Sequence, residues 1–322
     1  MTGYEGISQT RATPWYPGQL GVRGSDNSLG VRQVSTGIVL YVDAGMATAL
    51  DANDGTDPLF PKLTVQGAVS SAYLVDNSTI VVGPGTYTES VVIPGTAPDY
   101  CTIVGSGANS FWPTITSDGA ALDAISLSAR GWTIKNLRVV GHTASAGILL
   151  LETDSYFGAE TVIDNVFFDG AYRGLYGLEF FGSPGMVTVQ NCRFSEHRGG
   201  AGLNYAVRVT NTGRQDPYEC RFLNNYFFEN ENCIRGSFNV TQFEGNTFAV
   251  EGVIPVVTDV LNLTGSTQGH NIVSKNVFAG DYSIAGGYAG NVAHPDMWVG
   301  NVAEDVAEAT VADNGWTIAP PV

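Results

Sequence analysis

The chain has 322 residues, of which 40 are glycine, 15 phenylalanine and 14 tyrosine, and only 14% are charged, a composition typical of turn-rich β-proteins. Acidic residues outnumber basic ones by 31 to 15, which gives a formal net charge of −16 and leads us to expect neither nucleic acid nor an anionic membrane as a partner. There is no apolar run of the ~18 residues that a transmembrane helix needs, and the first residues lack the basic start and apolar run of a signal peptide, so we expect neither segment.

Residues 1–37 are rich in proline and glycine and show little hydrophobic periodicity. Such a segment has no core of its own and is predicted to be an extended N-terminal arm. Two interpretations stay open: a floppy terminus, or an anchor that becomes ordered when it contacts other proteins of a larger assembly.

The next stretch, Leu40 to Gly95, contains one helical pattern and one acidic turn. Residues Leu63 to Tyr73 form a short amphipathic run, predicted to be a helix that caps an open end of the fold. The segment Asp51 to Asp57 invites a calcium interpretation, but its glycine is fifth where an EF-hand loop has it sixth. An Asn-Asp-Gly turn explains the segment without a metal, and we expect no metal or other cofactor.

Seven segments of the chain share the pattern apolar, any, any, small or asparagine, any, apolar. Their first residues lie 29, 26, 33, 21, 30 and 25 positions apart, and a repeat of this length predicts a solenoid whose coils carry loops of different size. The segments are Ile134 to Val139, Ile163 to Phe168, Val189 to Phe194, Phe222 to Phe227, Phe243 to Phe248, Val273 to Phe278 and Trp298 to Ala303.

The fourth and sixth positions of these segments predict two inward columns. The fourth position is apolar in three segments, at Leu137, Val166 and Cys192, and then asparagine in four, at Asn225, Asn246, Asn276 and Asn301. Stacked at the ~4.8 Å strand spacing, the asparagines would pair their amides with one another, as buried polar groups require. The sixth position is mostly phenylalanine, which predicts an aromatic stack in the core.

A second apolar strand follows most of these segments. Examples begin at Ala146, Gly174, Tyr205, Cys233 and Asp259. The four cysteines show no C-x-x-C pair and are expected to be small buried residues. After Ala303 the pattern fades, and residues 304–322 are predicted to be a capping tail that covers the last coil.

At this point the chain resembles the pectin-lyase-like β-helix superfamily. The stretch LYVDAGM, DANDGTDPLFPKLTVQGAV and STIVVGPGTYTESVVIPG is similar to the entry coils of that family. Together with the seven repeats, the resemblance implies an all-β, single-stranded right-handed parallel β-helix over residues 38–303. It implies little about function, because the superfamily contains polysaccharide lyases, hydrolases and esterases as well as phage tailspikes and adhesins.

None of the family's well-known catalytic signatures carries over. Gly141-His142-Thr143 and Gly269-His270-Asn271 both fail the Gly-His-Gly pattern of a polygalacturonase-like site, and no Asp-Asp pair exists. The Arg-x-Pro-x-x-Arg segment of pectate lyases and the Asp-Phe-Ile-Phe-Gly pattern of the esterases are absent as well.

One cluster of carboxylates remains as a candidate catalytic site. Counting from the sixth position places Asp169, Glu196 with His197, Glu229 and Glu251 on successive coils at nearly the same angle. Carboxylates ~5 Å apart suit a retaining glycosidase, so we name Asp169, Glu196 and Glu229 as candidate catalytic residues and His197 as a candidate ligand-binding residue. The alternative is that turn positions are simply acidic in an acidic protein.

A second candidate surface consists of outward strand positions at Arg138, Phe167, Arg193, Tyr226 and Val277. Arginine interleaved with aromatic rings is used by subunit interfaces and by sugar-binding surfaces. We therefore name Arg193, Phe167 and Tyr226 as candidate binding residues, and we favour burial against another copy, with a homotrimer as the expected oligomer.

Three functions stay open for this sequence. The first is a structural virion or surface protein, such as a capsid decoration, an appendage or a tailspike-like adhesin, with its location on a virion or cell surface and a possible glycan partner. The second is a polysaccharide-cleaving enzyme, hydrolase or lyase, that uses carboxylates on stacked coils. The third is a non-catalytic carbohydrate-binding module, which an exposed aromatic platform without paired carboxylates would favour.

Overall fold

A computed structural model describes residues 37–107, 112–119, 121–152, 159–171, 174–198, 204–210, 216–250, 260–263, 269–280, 288–289 and 296–303. The predicted arm, apart from Gly37, and the predicted tail over 304–322 lie outside the described residues. Within these ranges no helix is both long and apolar enough to cross a membrane.

The described chain consists of short strands and one short helix. In chain order they are β1 (Val39–Val42), α1 (Val65–Val69), β2 (Thr79–Val82), β3 (Thr86–Thr88), β4 (Val91–Ile93), β5 (Thr102–Gly105), β6 (Thr114–Thr116), β7 (Ile125–Leu127), β8 (Thr133–Lys135), β9 (Arg138–Val140), β10 (Ala146–Leu151), β11 (Val162–Asp164), β12 (Phe167–Asp169), β13 (Tyr176–Phe181), β14 (Thr188–Gln190), β15 (Arg193–Ser195), β16 (Tyr205–Thr210), β17 (Arg221–Leu223), β18 (Tyr226–Phe228), β19 (Ile234–Arg235), β20 (Gln242–Glu244), β21 (Thr247–Val250), β22 (Leu261–Asn262), β23 (Ile272–Ser274), β24 (Val277–Gly280), β25 (Tyr288–Ala289), β26 (Met297–Val299) and β27 (Val302–Ala303).

The strands form three parallel sheets. Sheet A has the order β1-β2-β5-β8-β11-β14-β17-β20-β23-β26, sheet B the order β3-β6-β9-β12-β15-β18-β21-β24-β27, and sheet C the order β4-β7-β10-β13-β16-β19-β22-β25. Each strand pairs with the equivalent strand of the next coil, and parallel crossovers of this kind are right-handed. The protein is therefore a right-handed parallel β-helix, as predicted.

From β2 to β25 each coil contains three strands, whereas the sequence pattern predicted two. Every repeat segment splits between sheet A and sheet B, because its third residue adopts a left-handed conformation that turns the chain between the two strands. The third residues have φ between 54° and 67° and are Asn136, Asn165, Asn191, Asn224, Gly245, Lys275 and Gly300. Asparagine and glycine tolerate this conformation best, so the third position was informative although the pattern treated it as unrestricted.

The predicted asparagine column is confirmed. The Nδ2 groups of Asn225, Asn246 and Asn276 donate to the Oδ1 of the next asparagine at 2.9 to 3.0 Å, and the column ends at Asn301. The same Oδ1 atoms accept from backbone N–H groups of the coil before, and each Nδ2 also donates to a carbonyl of that coil. Each amide thus satisfies several buried polar groups at once.

The predicted aromatic stack is confirmed as well. Ring centroids are 4.4 to 5.0 Å apart and the planes lie within 13° of parallel, along Phe168, Phe194, Phe227, Phe248 and Phe278. All four cysteines are buried and free, as expected.

The capping helix is present but shorter than predicted, since α1 covers five residues. It buries Val65, Ala68 and Val69 against the core and contacts β1 and β4, the terminal strands of two sheets. Thr64 caps its N-terminus. The Asp51 carboxylate accepts from the N–H groups of residues 63 and 64, so this carboxylate holds the turn in front of the helix.

Candidate functional site on the outer face of sheet C

The predicted carboxylate cluster is out of register at Asp169. Asp169 pairs with Ser195, and Ser195 pairs with Phe228, so Glu196 and Glu229 lie one residue further along their coils. The stacking prediction is wrong for Asp169, because that residue follows its core phenylalanine directly whereas the two glutamates come two positions after theirs. Glu196 and Glu229 do occupy equivalent positions, both left-handed with φ of 62° and 56°. Glu251 lies outside the described residues.

Two of the three candidate carboxylates are held in ion pairs. Asp169 is mostly buried, pairs with Arg138 and accepts from the N–H of Ala171 at 2.8 Å. Glu229 is also mostly buried and pairs with Arg198 at 2.9 Å. Such pairs fix the ends of strands β12 and β18, and the catalytic role of these carboxylates stays a prediction.

His197 lies inside the solenoid, with none of its surface exposed. Its Nδ1 lies 3.0 Å from Oδ1 of Asn230, and its Nε2 has no hydrogen-bond partner in the described part of the chain. Burial lowers the pKa of His197 to about 4, so the ring is neutral near pH 7. The predicted ligand-binding role at the surface does not fit this burial.

The outward column of sheet B contains the other predicted binding residues. Strand pairing aligns Arg138, Phe167, Arg193 and Tyr226 on consecutive coils. The Arg193 guanidinium lies over the ring of Phe167 at 5.3 Å and over that of Tyr226 at 5.9 Å. The outward positions were thus predicted correctly, while their ligand or partner stays a prediction.

Sheet C carries a polar column that was not predicted. Pairing along β10, β13, β16 and β19 aligns Leu149, Glu179, Arg208 and Arg235 on its outer face. The residue before each of the last three is buried in the core, at Leu178, Val207 and Ile234, and alternation along a strand then directs the next side chain outward.

Glu179 is the central acidic group of this column. Its environment raises the pKa of Glu179, chiefly by burial and further by the negative charge of Asp123, against the opposing hydrogen bond from Thr210 and the charge of Arg208. Thr210 Oγ1 donates to Glu179 Oε1 at 2.5 Å. Burial also raises the pKa of Asp123, whose Oδ1 accepts from the N–H of Ala146 at 2.8 Å. Two carboxyl groups whose charges interact and whose pKa values are both raised are an arrangement typical of acid–base sites.

Two tyrosines hold the arginines of this column in place. Arg208 donates to the hydroxyl of Tyr176 and its guanidinium lies 5.0 Å from the centre of that ring. Arg235 donates to the hydroxyl of Tyr205 at 2.9 Å. Tyr205 is fully buried and Tyr176 nearly so, and burial raises the pKa of Tyr176. Both guanidinium groups are therefore held by a tyrosine hydroxyl, and Arg208 lies on the strand next to Glu179 while Arg235 lies one strand further.

Arg208 forms no ion pair with any carboxylate of the residues that the structure describes. Its donors that do not contact Tyr176 suit a carboxylate, sulfate or phosphate of a ligand. The face thus combines a carboxyl group that retains its proton to higher pH with a fixed cation, in a chain whose formal net charge is −16.

The sequence contained one signal for this site. The predicted second strands beginning at Gly174, Tyr205 and Cys233 place Glu179, Arg208 and Arg235 in equivalent positions once the strands are aligned. A charged residue at one position of three successive apolar strands is unusual for a purely structural strand.

No family model and no curated protein sequence matches the chain. Among solved structures, the pectin methylesterase from Aspergillus niger in deglycosylated form matches over 82% of this chain and 85% of its own, with 12% identity and a TM-score of 0.49. Pectin methylesterase PemA from Erwinia chrysanthemi matches over 86% and 95%, with 12% identity and a TM-score of 0.48. The alginate lyase from Paenibacillus sp. str. FPU-7 matches over 75% and 95%, with 13% identity and a TM-score of 0.45. These likenesses concern the winding of the chain and carry nothing about its chemistry.

Proposed function

We propose that this protein is an enzyme that cleaves an anionic polysaccharide by hydrolysis on the outer face of sheet C, with Glu179 as the general acid. The observation that carries the proposal is the pairing of Glu179 with Arg208 on neighbouring strands. The pairing brings the carboxyl group of Glu179, whose pKa is raised, next to Arg208, which forms no ion pair with a carboxylate of the described residues. An anionic sugar needs the cation for binding, and glycosidic cleavage needs the proton.

The three charged residues of the column and the groups that contact them have separate roles in this proposal. Arg208 binds the carboxylate of a uronic-acid unit and Arg235 assists on the next coil. Glu179 donates its proton to the glycosidic oxygen, so that the leaving sugar departs as a neutral alcohol. Asp123, whose charge raises the pKa of Glu179, activates the water that adds to the anomeric carbon. Tyr176 and Tyr205 position the guanidinium groups and touch no reacting atom.

The test is release of reducing ends from polygalacturonate and from alginate by wild-type protein, Glu179→Gln and a matched control, Glu244→Gln, on sheet A. We expect Glu179→Gln to lower kcat by roughly 100-fold or more, as loss of a general acid does. Glu244→Gln should retain wild-type activity. Arg208→Gln should raise KM for a carboxylated substrate and leave KM for its methyl-esterified form unchanged.

Two results would overturn the proposal. A wild-type protein inert on carboxylated and neutral polysaccharides alike would exclude the activity, and unsaturated uronate products would indicate elimination by a lyase instead of hydrolysis. If activity survives in Glu179→Gln, the carboxylates of Glu196 and Glu229 are the next to replace, since they are stacked on neighbouring coils of the predicted cluster.

The structural alternative, a virion or surface protein that assembles as a trimer, stays a prediction. Its support in the sequence is the lack of a signal-peptide pattern in the first residues and of catalytic signatures, the β-helix itself and the arm over residues 1–37, which except for Gly37 lies outside the described residues. The catalytic proposal rests on the described strands of sheet C and is independent of it.

A further inference from the structure

A second cationic feature lies on sheet B, away from the proposed active site. Its centre is Arg193, whose guanidinium is surrounded by the rings of Phe167, Tyr226 and Phe228 at 5.3, 5.9 and 5.6 Å. Tyr226 and Phe228 are themselves stacked, with centroids 5.9 Å apart and planes within 13°. Cation–π contact on this scale holds an exposed guanidinium in one orientation.

The charges of the two arginines in this column are balanced differently. Arg138 lies over the ring of Phe167 and is neutralised by its ion pair with Asp169. Arg193 is exposed and has no carboxylate partner within the described residues. The protein has 31 acidic and only 15 basic residues, so carboxylates that could pair with Arg193 are plentiful. An arginine that is held by aromatic rings and still has no described carboxylate partner is therefore not explained by packing alone.

We propose that Arg193 and Tyr226 form an accessory binding site for one carboxylate-bearing sugar unit of a polysaccharide. The guanidinium carbon lies 5.3 to 5.9 Å from the three ring centres and its N–H groups pair with no carboxylate of the described residues, so they can bind a carboxylate of a ligand through two parallel hydrogen bonds. Tyr226, 37% exposed, offers an aromatic face to the apolar side of the same sugar ring. The site binds and does no chemistry, and it does not depend on the proposed catalytic function.

Calorimetric titration with trigalacturonate tests this site, in a Glu179→Gln background so that the probe is not cleaved. We expect two binding events, of which Arg193→Gln removes or weakens one by roughly tenfold, as loss of a charge-assisted bond does. Arg193→Lys should weaken it as well, because an ammonium lacks the fork geometry. Arg221→Gln, the same change of charge on the exposed face of sheet A, should leave both events intact, and methyl-esterified trigalacturonate should not bind at Arg193.

The outcomes separate this site from the proposed active site. Loss of one event in Arg193→Gln and of the other in Arg208→Gln supports both proposals, and a single event that only Arg193→Gln removes supports the accessory site while contradicting binding at sheet C. Unchanged binding in Arg193→Gln, or no binding at all, overturns the accessory site. Sedimentation showing a wild-type oligomer that Arg193→Gln dissociates would also overturn it, since the occupant would then be a second copy.

Discussion

The turn between sheets A and B has the same backbone conformation in the first and last repeats of the solenoid, but the inward side chain at that turn is apolar in the first repeats and an asparagine in the last. Between sheets A and B the corner is apolar at Leu137 and Val166, whereas from Asn225 onward its amide groups bridge neighbouring coils. The backbone is the same in both halves, because the residue before each of these positions is left-handed. The turn therefore depends on the left-handed residue. The inward side chain that follows it can stabilise the corner either by apolar packing or by hydrogen bonding.

The polar half contains further inward polar groups at other corners. Asn271 accepts from the N–H of Thr241 at 2.9 Å and donates to Asp296 at 2.9 Å, and Asn230 contacts His197. The column of sheet C crosses the change between the halves, since Glu179 follows a corner filled by Val166 and Arg235 follows one filled by Asn225. The proposed active site thus lies on the coils where the inward corner residue changes from apolar to asparagine.

Loss of an amide from the middle of the asparagine column should have the largest effect on stability. Asn246→Ala removes the acceptor of the Asn225 N–H and Nδ2 groups and the donor to the Phe222 carbonyl. We expect the free energy of unfolding in urea to fall by about 3 kcal/mol, the cost of several unpaired buried groups. Val166→Ala in the apolar half should lose about 2 kcal/mol by leaving a small cavity. If Val166→Ala lost as much free energy of unfolding as Asn246→Ala, or more, the comparison between the two halves would be contradicted.

The buried imidazole of His197, on the last coil before the polar half, should make stability depend on pH. The folded-state pKa of His197 is about 4 against an ordinary 6.5, so between these values the unfolded chain takes up a proton that the folded protein does not. As the pH is lowered from 6.5 to 4, the free energy of unfolding should decrease, and His197 accounts for at most about 3 kcal/mol of that decrease. His197→Gln should lose this part of the dependence in urea titrations, while His142→Gln, at the partly exposed His142, should keep it. The same slope in both variants would exclude His197 as its origin.

The boundary between the halves can be moved by one coil. The N–H of Cys192 already donates to Asn225 Oδ1 at 2.9 Å, and its Sγ faces the carbonyl of Ile163 at 3.6 Å. Cys192→Asn should extend the column and keep or raise the free energy of unfolding by up to about 1 kcal/mol. Val166→Asn should lose about 2 kcal/mol, because Cys192 offers no amide partner. Chemical denaturation distinguishes the two, and a more stable Val166→Asn would show that the column does not need neighbouring amides.

The smallest expected effect concerns a strained corner of the polar half. Val240 is β-branched, 54% exposed and has φ of 52°, which is unfavourable for such a residue. Val240→Gly should raise the free energy of unfolding by about 1 kcal/mol. The equivalent corner of the apolar half has Gly131, with φ of 69° and a Cβ position only 2.3 Å from the Tyr100 ring. Gly131→Val should therefore destabilise, and a tolerated Gly131→Val would contradict the account.

The sequence predicted those parts of the fold in which one residue type recurs. Asn225, Asn246, Asn276 and Asn301 are identical, so their spacing alone revealed the column, and the phenylalanine stack was predicted for the same reason. The corner before them was missed although asparagine or glycine fills most of its positions, because Lys275 breaks the pattern. Such a break is possible since any residue can adopt the left-handed conformation at some cost in free energy.

The candidate site was harder to predict, because its residues share a position and not a residue type. Leu149, Glu179, Arg208 and Arg235 become neighbours only through strand pairing, and the loops between them differ in length. The error at Asp169 has a related origin, since counting beyond the end of a strand assumes a regular chain. Burial, which removed His197 from the surface, depends on the three-dimensional path of the coil.

The most direct test of the proposed function is a crystal structure of Glu179→Gln with a bound oligogalacturonate. We predict the oligosaccharide on the outer face of sheet C, with a uronate carboxylate on Arg208 and a glycosidic oxygen within hydrogen-bonding distance of residue 179. An oligosaccharide bound instead over Glu196 and Glu229, with sheet C empty, would contradict the assignment of the active site.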